Sequence, residues 1–276
     1  MPSVYYAICP GAGGTDDKKT GSPTITIASG VATLSVAQTG NIGQGFRITY
    51  DTSKVCFISK VNSSTSFDVV TATGAAPSDE GSAVTVNSIA ADYASLSAAE
   101  AGASDASHLT TSNLTTGSHI LNLVCYAGAS ADTTAVVFNG YTTSADCYVY
   151  IYAPNGGTQS ISNQRHAGKL ATDCYRLATT TTNTFCLDIT GNCWDVWVDG
   201  LIIDAASANR TAVIIRSINS GTTNYRFSNL VIRGNSNQYA MGIVCSDADI
   251  DTVTIWNCVI HDFSGSDSKG IHHAAS

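Results

Sequence analysis

The run Asp195-Val-Trp-Val-Asp199 alternates polar or aromatic side chains with valines, so Asp195, Trp197 and Asp199 share one face of a strand. An indole can stack a sugar ring while the carboxylates on either side accept hydrogen bonds from its hydroxyls. Glycoside hydrolysis needs a carboxyl pair about 5–9.5 Å apart. At strand rise Asp195 and Asp199 stand roughly 13 Å apart, too far unless a neighbouring segment supplies the second acid. Asp247, Asp249 and Asp251 also alternate and form a weak Ca²⁺ candidate, without the central glycine and closing glutamate of an EF-hand loop. Arg165, His166 and Lys169 make a basic group of a kind that lyases use, and its plainer reading is surface. No Ser-His-Asp or Cys-His set follows from residue order, so no catalytic residue is assigned and no cofactor is expected.

The elements that must position these residues repeat. Val196-Trp-Val-Asp-Gly-Leu-Ile-Ile-Asp, Tyr225-Arg-Phe-Ser-Asn-Leu-Val-Ile-Arg and Val253-Thr-Ile-Trp-Asn-Cys-Val-Ile-His align without gaps, with Gly200, Asn229 and Asn257 at the same point. Val213, Gly242 and Gly270 open a second recurring segment at the same steps. A unit of this size cannot bury its apolar side chains alone but can do so by stacking on its neighbours. Three interior files are expected: Val198–Phe227–Ile255, Ile203–Ile232–Ile260 and Ile214–Ile243–Ile271. On the outside Trp197 lies over Arg226, and Asp199 over Ser228 and Trp256. The strip Asp195, Trp197, Asp199, Arg226 and Trp256 then serves a glycan, a second subunit or solvent. Asp204, Arg233 and His261 form another outer column, read as a charge ladder.

The pattern Gly/Asn-Leu/Cys-x-Ile resembles the right-handed parallel β-helix of the pectin-lyase-like superfamily, a group that includes many phage tailspikes. The resemblance covers roughly residues 120–276 and speaks to fold rather than activity. It implies that Asn229 and Asn257 stack in a turn. The stretch from Gln164 to Leu177 is also similar to an element of uncharacterised bacterial and phage β-helix proteins.

Ahead of this region, residues 1–20 read as a polar, glycine-rich arm. Residues 21–90 alternate and turn like a small β-barrel or sandwich of five short strands, a docking module. Ser29-Gly30 is a tight-turn signal between two of them. Residues 91–119 read as a linker with one short helix, where Ser97 and Glu100 have capping-box spacing and Gly102 ends the run. That helix is expected to cover the open end of the β-helix. The fold class is therefore all-β: a small β module, a capping helix and a parallel β-helix over 120–276.

Composition bounds the function. Charged residues are 12% of the chain, about half the usual share. The net charge of −8 argues against a nucleic-acid binder, and no apolar run is long enough to span a bilayer. The nine cysteines show neither CxxC nor zinc spacing and read as reduced, buried thiols. The start lacks the features of a secretory signal. The end at Gly270-Ile-His-His-Ala-Ala-Ser276 falls just after a strand opens a new coil, which implies truncation or a covering partner.

These features point to a structural or adhesive virion-surface protein, made in the host cytoplasm, such as a tail spike, tail fibre or head decoration. The resemblance implies a homotrimer, with other virion proteins and a surface polysaccharide as partners. The rivals are a polysaccharide lyase or glycoside hydrolase on the same fold, and an extracellular cell-surface adhesin.

Overall fold

Alternate apolar side chains along short strands are drawn into one interior, and the parallel strands that carry them pile coil on coil. The computed structural model describes residues 1–11, 16–180, 185–205, 211–217, 222–246 and 250–273. In chain order, β1 (Ser3–Ile8) precedes β2 (Thr24–Ala28), β3 (Val31–Leu34), β4 (Arg47–Tyr50), β5 (Lys54–Val61), β6 (Ser66–Val70) and β7 (Glu80–Ala90). Two short helices follow, α1 (Leu96–Gly102) and α2 (Leu114–Gly117). The next strands are β8 (Ile120–Cys125), β9 (Val136–Phe138), β10 (Val149–Tyr152), β11 (Arg176–Leu177) and β12 (Phe185–Gly191). Three regular coils complete the chain. They are β13 (Asp195–Asp199), β14 (Ile202–Asp204), β15 (Thr211–Ser217); β16 (Asn224–Ser228), β17 (Val231–Arg233), β18 (Met241–Cys245); and β19 (Thr252–Trp256), β20 (Val259–His261), β21 (Lys269–His273).

The parallel β-helix has three sheets, ordered β1-β8-β10-β13-β16-β19, β11-β14-β17-β20 and β9-β12-β15-β18-β21. Two expected files are present: Val198–Phe227–Ile255 and Ile203–Ile232–Ile260 are register partners. The third is corrected. Val213, not Ile214, opposes Ile243 and then Ile271, so the step there is 30 residues and then 28. Met241 pairs with Thr211 although Arg233 pairs with Asp204, so the later connection holds one more residue. A slip of one residue moves a side chain to the opposite face.

The turn after the first sheet explains the shared marker. Gly200, Asn229 and Asn257 all take left-handed φ, of 75°, 52° and 52°. Asparagine tolerates this region better than other side chains with a Cβ. Asn229 donates to Asp199 Oδ1 at 2.6 Å, and Asn257 donates to Asn229. The turn is therefore sewn between coils as well as bent.

Residues 3–8 depart from the expected arm. Val4, Tyr6 and Ile8 alternate into the interior, and β1 pairs in parallel with β8, from Ser3–Ile120 to Ile8–Cys125. The β-helix therefore begins at the chain's first strand, and residues 24–90 are inserted in it. That insert is a closed antiparallel barrel, β2-β3-β6-β5-β4-β7. Its sixth strand is β7, absent from the five-strand reading. Ser29 and Gly30, both with positive φ, make the β2–β3 turn.

The helix reading needs a shift in register. Ser95, extended at φ −153°, caps α1 by accepting from Ala98 N–H, while Ser97 already lies inside the helix. Glu100 does not close a capping box, and its carbonyl accepts from Tyr141 Oη at 2.8 Å. Buried Asp132 takes Leu96 N–H and Tyr175 Oη, both at 2.7 Å. Leu96, Ala99, Ala103, Leu109 and Leu114 join the β-helix core, so this segment packs over its first coils. Among the described residues no helix is long and apolar enough to cross a membrane.

The barrel docks on the outer side of the first sheet. Ala7, Val124, Tyr126 and Tyr152 share a core with Ile42, Phe46 and Ile48. Tyr126 and Tyr152 hydroxyls both donate to Gln44, at 2.8 and 2.7 Å. A Cβ on Gly45 would stand 2.6 Å from the Ala7 nitrogen, and one on Gly43 2.4 Å from the Gln159 carbonyl. Those two glycines let the backbones touch. At the other junction Arg47 pairs with Asp92 at 2.9 Å, and His108 lies between Asp92 and Asp105.

Two measurements test this architecture. Ile243→Asp places a charge in an interior file and is expected to cost at least about 3 kcal/mol, whereas Val137→Ser, at an exposed position of β9, stays within about 0.5 kcal/mol; equal losses in chemical denaturation would contradict the interior file. His108 gives a pH dependence. Burial alone lowers its pKa, but hydrogen bonds to Asp92 and Asp105 outweigh that and raise it above the ordinary imidazole value. Its contribution to stability is complete below about pH 6.5 and is lost as pH rises through the raised folded value. His108→Gln is expected to flatten that slope, and an unchanged slope would show that the carboxylates do not hold the proton.

Candidate functional site

Where the barrel ends, the outer face of the first sheet opens. Val196 and Val198 are fully buried in the interior, so Asp195, Trp197 and Asp199 face outward as the alternation requires. Trp197 opposes Arg226, and Asp199 opposes Ser228 and then Trp256. The expected strip is thus brought together, and two adjoining concavities run along it. The larger, about 650 Å³, is bordered by Trp194, Asp195, Asn224, Arg226 and Trp256, with threonines 143, 223, 252 and 254. The smaller, about 280 Å³, lies between Tyr150, Trp197, Asp199 and Trp256. Ligand clefts typically fall in the range of about 300–1,000 Å³.

The aromatic groups are pinned in place. Tyr148 stacks on Trp197 at 3.8 Å between ring centroids, with the planes 21° apart. The Arg226 guanidinium sits 4.0 Å from the centre of the Trp197 ring. Arg226 Nε donates to Asn224 Oδ1 at 3.3 Å, which fixes its direction. Trp256, in contrast, is 46% exposed and presents its indole at the rim.

The two carboxylates separate into different roles. Asp199 accepts from Tyr150 Oη at 3.1 Å, Ser228 Oγ at 2.7 Å and Asn229 Nδ2 at 2.6 Å, and pairs with Arg165. It joins coils and has little capacity left for a ligand. Arg165 also donates to the Ala153 carbonyl at 3.0 Å, and His166 Nδ1 accepts from Gly168 N–H, so part of the lyase-like basic group is structural.

Asp195 is only 2% exposed, yet its Oδ2 has no hydrogen-bond partner. Its register partner Asn224 is turned to Arg226, and Arg226 makes no ion pair with it. Burial pushes the Asp195 pKa up to about 6, with Arg226 pulling it down and Asp146 pushing it further up. The indole nitrogens of Trp194 and Trp197 are likewise buried without a partner. Asp195 and Trp194 border the larger concavity and Trp197 the smaller, so a carboxylate acceptor and indole donors without partners lie along adjoining clefts, an arrangement suited to a group that both donates and accepts.

Trp194 was not singled out by alternation because it precedes β13; its adjacency to Asp195 was the available signal. Of the Ca²⁺ candidates, Asp247 and Asp249 lie outside the described residues. Asp251 Oδ2 accepts Thr223 N–H at 2.9 Å, and Thr223 Oγ1 accepts Asp251 N–H at 2.8 Å, a latch between coils. The outer column is a ladder as far as Arg233, which grips Asp204 with two bonds at 2.9 and 2.7 Å. No family model, curated protein or solved structure matches this chain.

Asp195→Asn tests the open carboxylate. A carboxyl whose folded pKa lies above its unfolded value costs stability as pH rises between the two. The penalty is absent below about pH 4 and complete above the folded value of about 6. Asp195→Asn should therefore raise unfolding free energy at pH 8 by on the order of 2 kcal/mol and leave it unchanged near pH 3.5. Equal effects at both pH values would show that the carboxyl is compensated.

Proposed function

We propose that this chain is a projecting, non-enzymatic adhesive protein that binds a saccharide in the outer-face cleft of its β-helix. The observation that carries the reading is the pairing of an exposed indole, Trp256, with the buried and unpartnered Asp195 on one open concavity. Aromatic faces take the apolar face of a pyranose ring, and a few fixed polar groups select its hydroxyls. A stack of parallel coils is a rigid support for such a face, since each strand is held by the strands on either side.

The setting we infer is a virus particle: a tail spike, tail fibre or head decoration, assembled in the host cytoplasm as a homotrimer alongside other virion proteins. The resemblance of the repeat to tailspike β-helices supports it. So do the cysteines, all free thiols, which suit folding in a reducing compartment. In this reading the barrel is the docking module and the β-helix the projecting part.

A second reading, a glycoside hydrolase, is favoured by the Asp195 pKa of about 6, a value suited to a general acid. With Asp199 engaged by four groups, that reading needs Asp146, the exposed carboxylate that acts on Asp195, as its second acid.

The test is binding to a polysaccharide panel together with reducing-end release. Wild-type protein is expected to bind at least one polysaccharide without cleaving it. Trp256→Ala is expected to weaken binding about tenfold, since an aromatic contact is worth about 0.5–1.5 kcal/mol. Release of reducing ends would replace the adhesive reading by the hydrolase, and absence of all binding would overturn both.

A further inference from the structure

The cleft also constrains which sugar it takes, an inference that rests on the saccharide reading above. We propose that the bound unit is neutral and hydroxyl-rich, with one hydroxyl donating to the Asp195 carboxylate while its ring lies against Trp256. The chemistry of the unpaired atoms carries this. Asp195 Oδ2 needs a donor, and Trp194 Nε1 needs an acceptor. A sugar hydroxyl is both at once, and neighbouring hydroxyls on a ring supply the two functions side by side.

Charged alternatives fit less well. An anionic unit, such as a uronate, would bring a second negative charge beside a carboxylate that is 2% exposed. The nearby cation, Arg226, is committed to the Trp197 face and to Asn224. A cationic unit would meet Arg226 on the same cleft wall. The charged groups acting on Asp195 are Arg226 and Asp146, of opposite sign, and Asp146 is exposed to solvent. The walls beyond them are threonines and an asparagine, which serve hydroxyls rather than charges.

The proposal fixes a direction with pH. The carboxylate form accepts the hydroxyl, so affinity should be highest above the Asp195 pKa of about 6 and fall as the group takes up its proton. An asparagine there still accepts through its amide oxygen but no longer titrates.

The experiment is isothermal titration calorimetry at pH 8 and pH 5. Neutral gluco-, galacto- and manno-oligosaccharides are compared with oligogalacturonate and alginate oligomers. Wild-type protein should bind a neutral oligosaccharide at least tenfold more tightly than either acidic one, and more tightly at pH 8 than at pH 5. Asp195→Asn should weaken the neutral ligand about fivefold at pH 8 and abolish the pH difference, with folding checked by circular dichroism. Preference for the acidic oligomers, or a neutral affinity unchanged in Asp195→Asn, overturns this inference while leaving the saccharide reading intact. Failure of both ligand sets to bind overturns the saccharide reading itself.

Discussion

In a stack of coils every outward polar group buried against its neighbours must find its partner in the coil above or below. That requirement organises the outer faces of this protein. Arg216 reaches back to Asp188, Arg233 to Asp204, Asp251 to Thr223 and Asn257 to Asn229, each bridging one coil to the next. The first three of these bonds are half-buried and charge-assisted, so breaking one leaves a group partly desolvated and alone, while the exposed Asn257–Asn229 bond holds a turn. Asp195 departs from the rule. It has neighbours above and below, yet its Oδ2 is unmatched. Among the described residues the other buried aspartates have a hydrogen bond or an ion pair, Asp92 through Arg47, so a buried carboxylate oxygen with neither is a mark of function.

The inserted barrel decides where on the rod that exception lies. Gly43 and Gly45 bring the barrel's backbone against the β-helix, and Gln44 between them takes the hydroxyls of Tyr126 and Tyr152. The connection after β10 adds to the clasp, with Val61 N–H donating to the Thr158 carbonyl and Ile161 N–H to that of Ile42. The early coils therefore present their outer aromatics to the barrel. Tyr150 stands at the boundary, stacked on Tyr152 and bonded to Asp199. Beyond it the same face continues as Trp197, Arg226 and Trp256 with nothing packed on it among the described residues. One strip is thus a docking surface at one end and an open cleft at the other.

Much of the fold was legible because stacking imposes periodicity on sequence. Gly200, Asn229 and Asn257 marked a turn that needs left-handed backbone, and the valine–aspartate alternation set which residues face out. The third file was misplaced by one residue because Met241 and Thr211 pair across connections of unequal length, which no gap-free alignment reveals. The start of the β-helix was missed because β1 and its partner β8 are separated by the whole barrel. The strip itself was legible, but the division of labour within it was not. Asp195 and Asp199 look equivalent along a strand. Only the arrival of Arg165 and Tyr150 at one, and the diversion of Asn224 to Arg226 at the other, makes them different.

The proposed saccharide cleft depends on the state of one carboxyl. Following the aspartate carboxyl carbons by ¹³C NMR through a pH titration, with and without a saturating neutral oligosaccharide, reports on it directly. One resonance, assigned by its absence in Asp195→Asn, should titrate near 6 in the free protein and move to lower pH when the sugar is bound. A midpoint for that resonance in the ordinary aspartate range of about 4, unmoved by the sugar, would contradict the account.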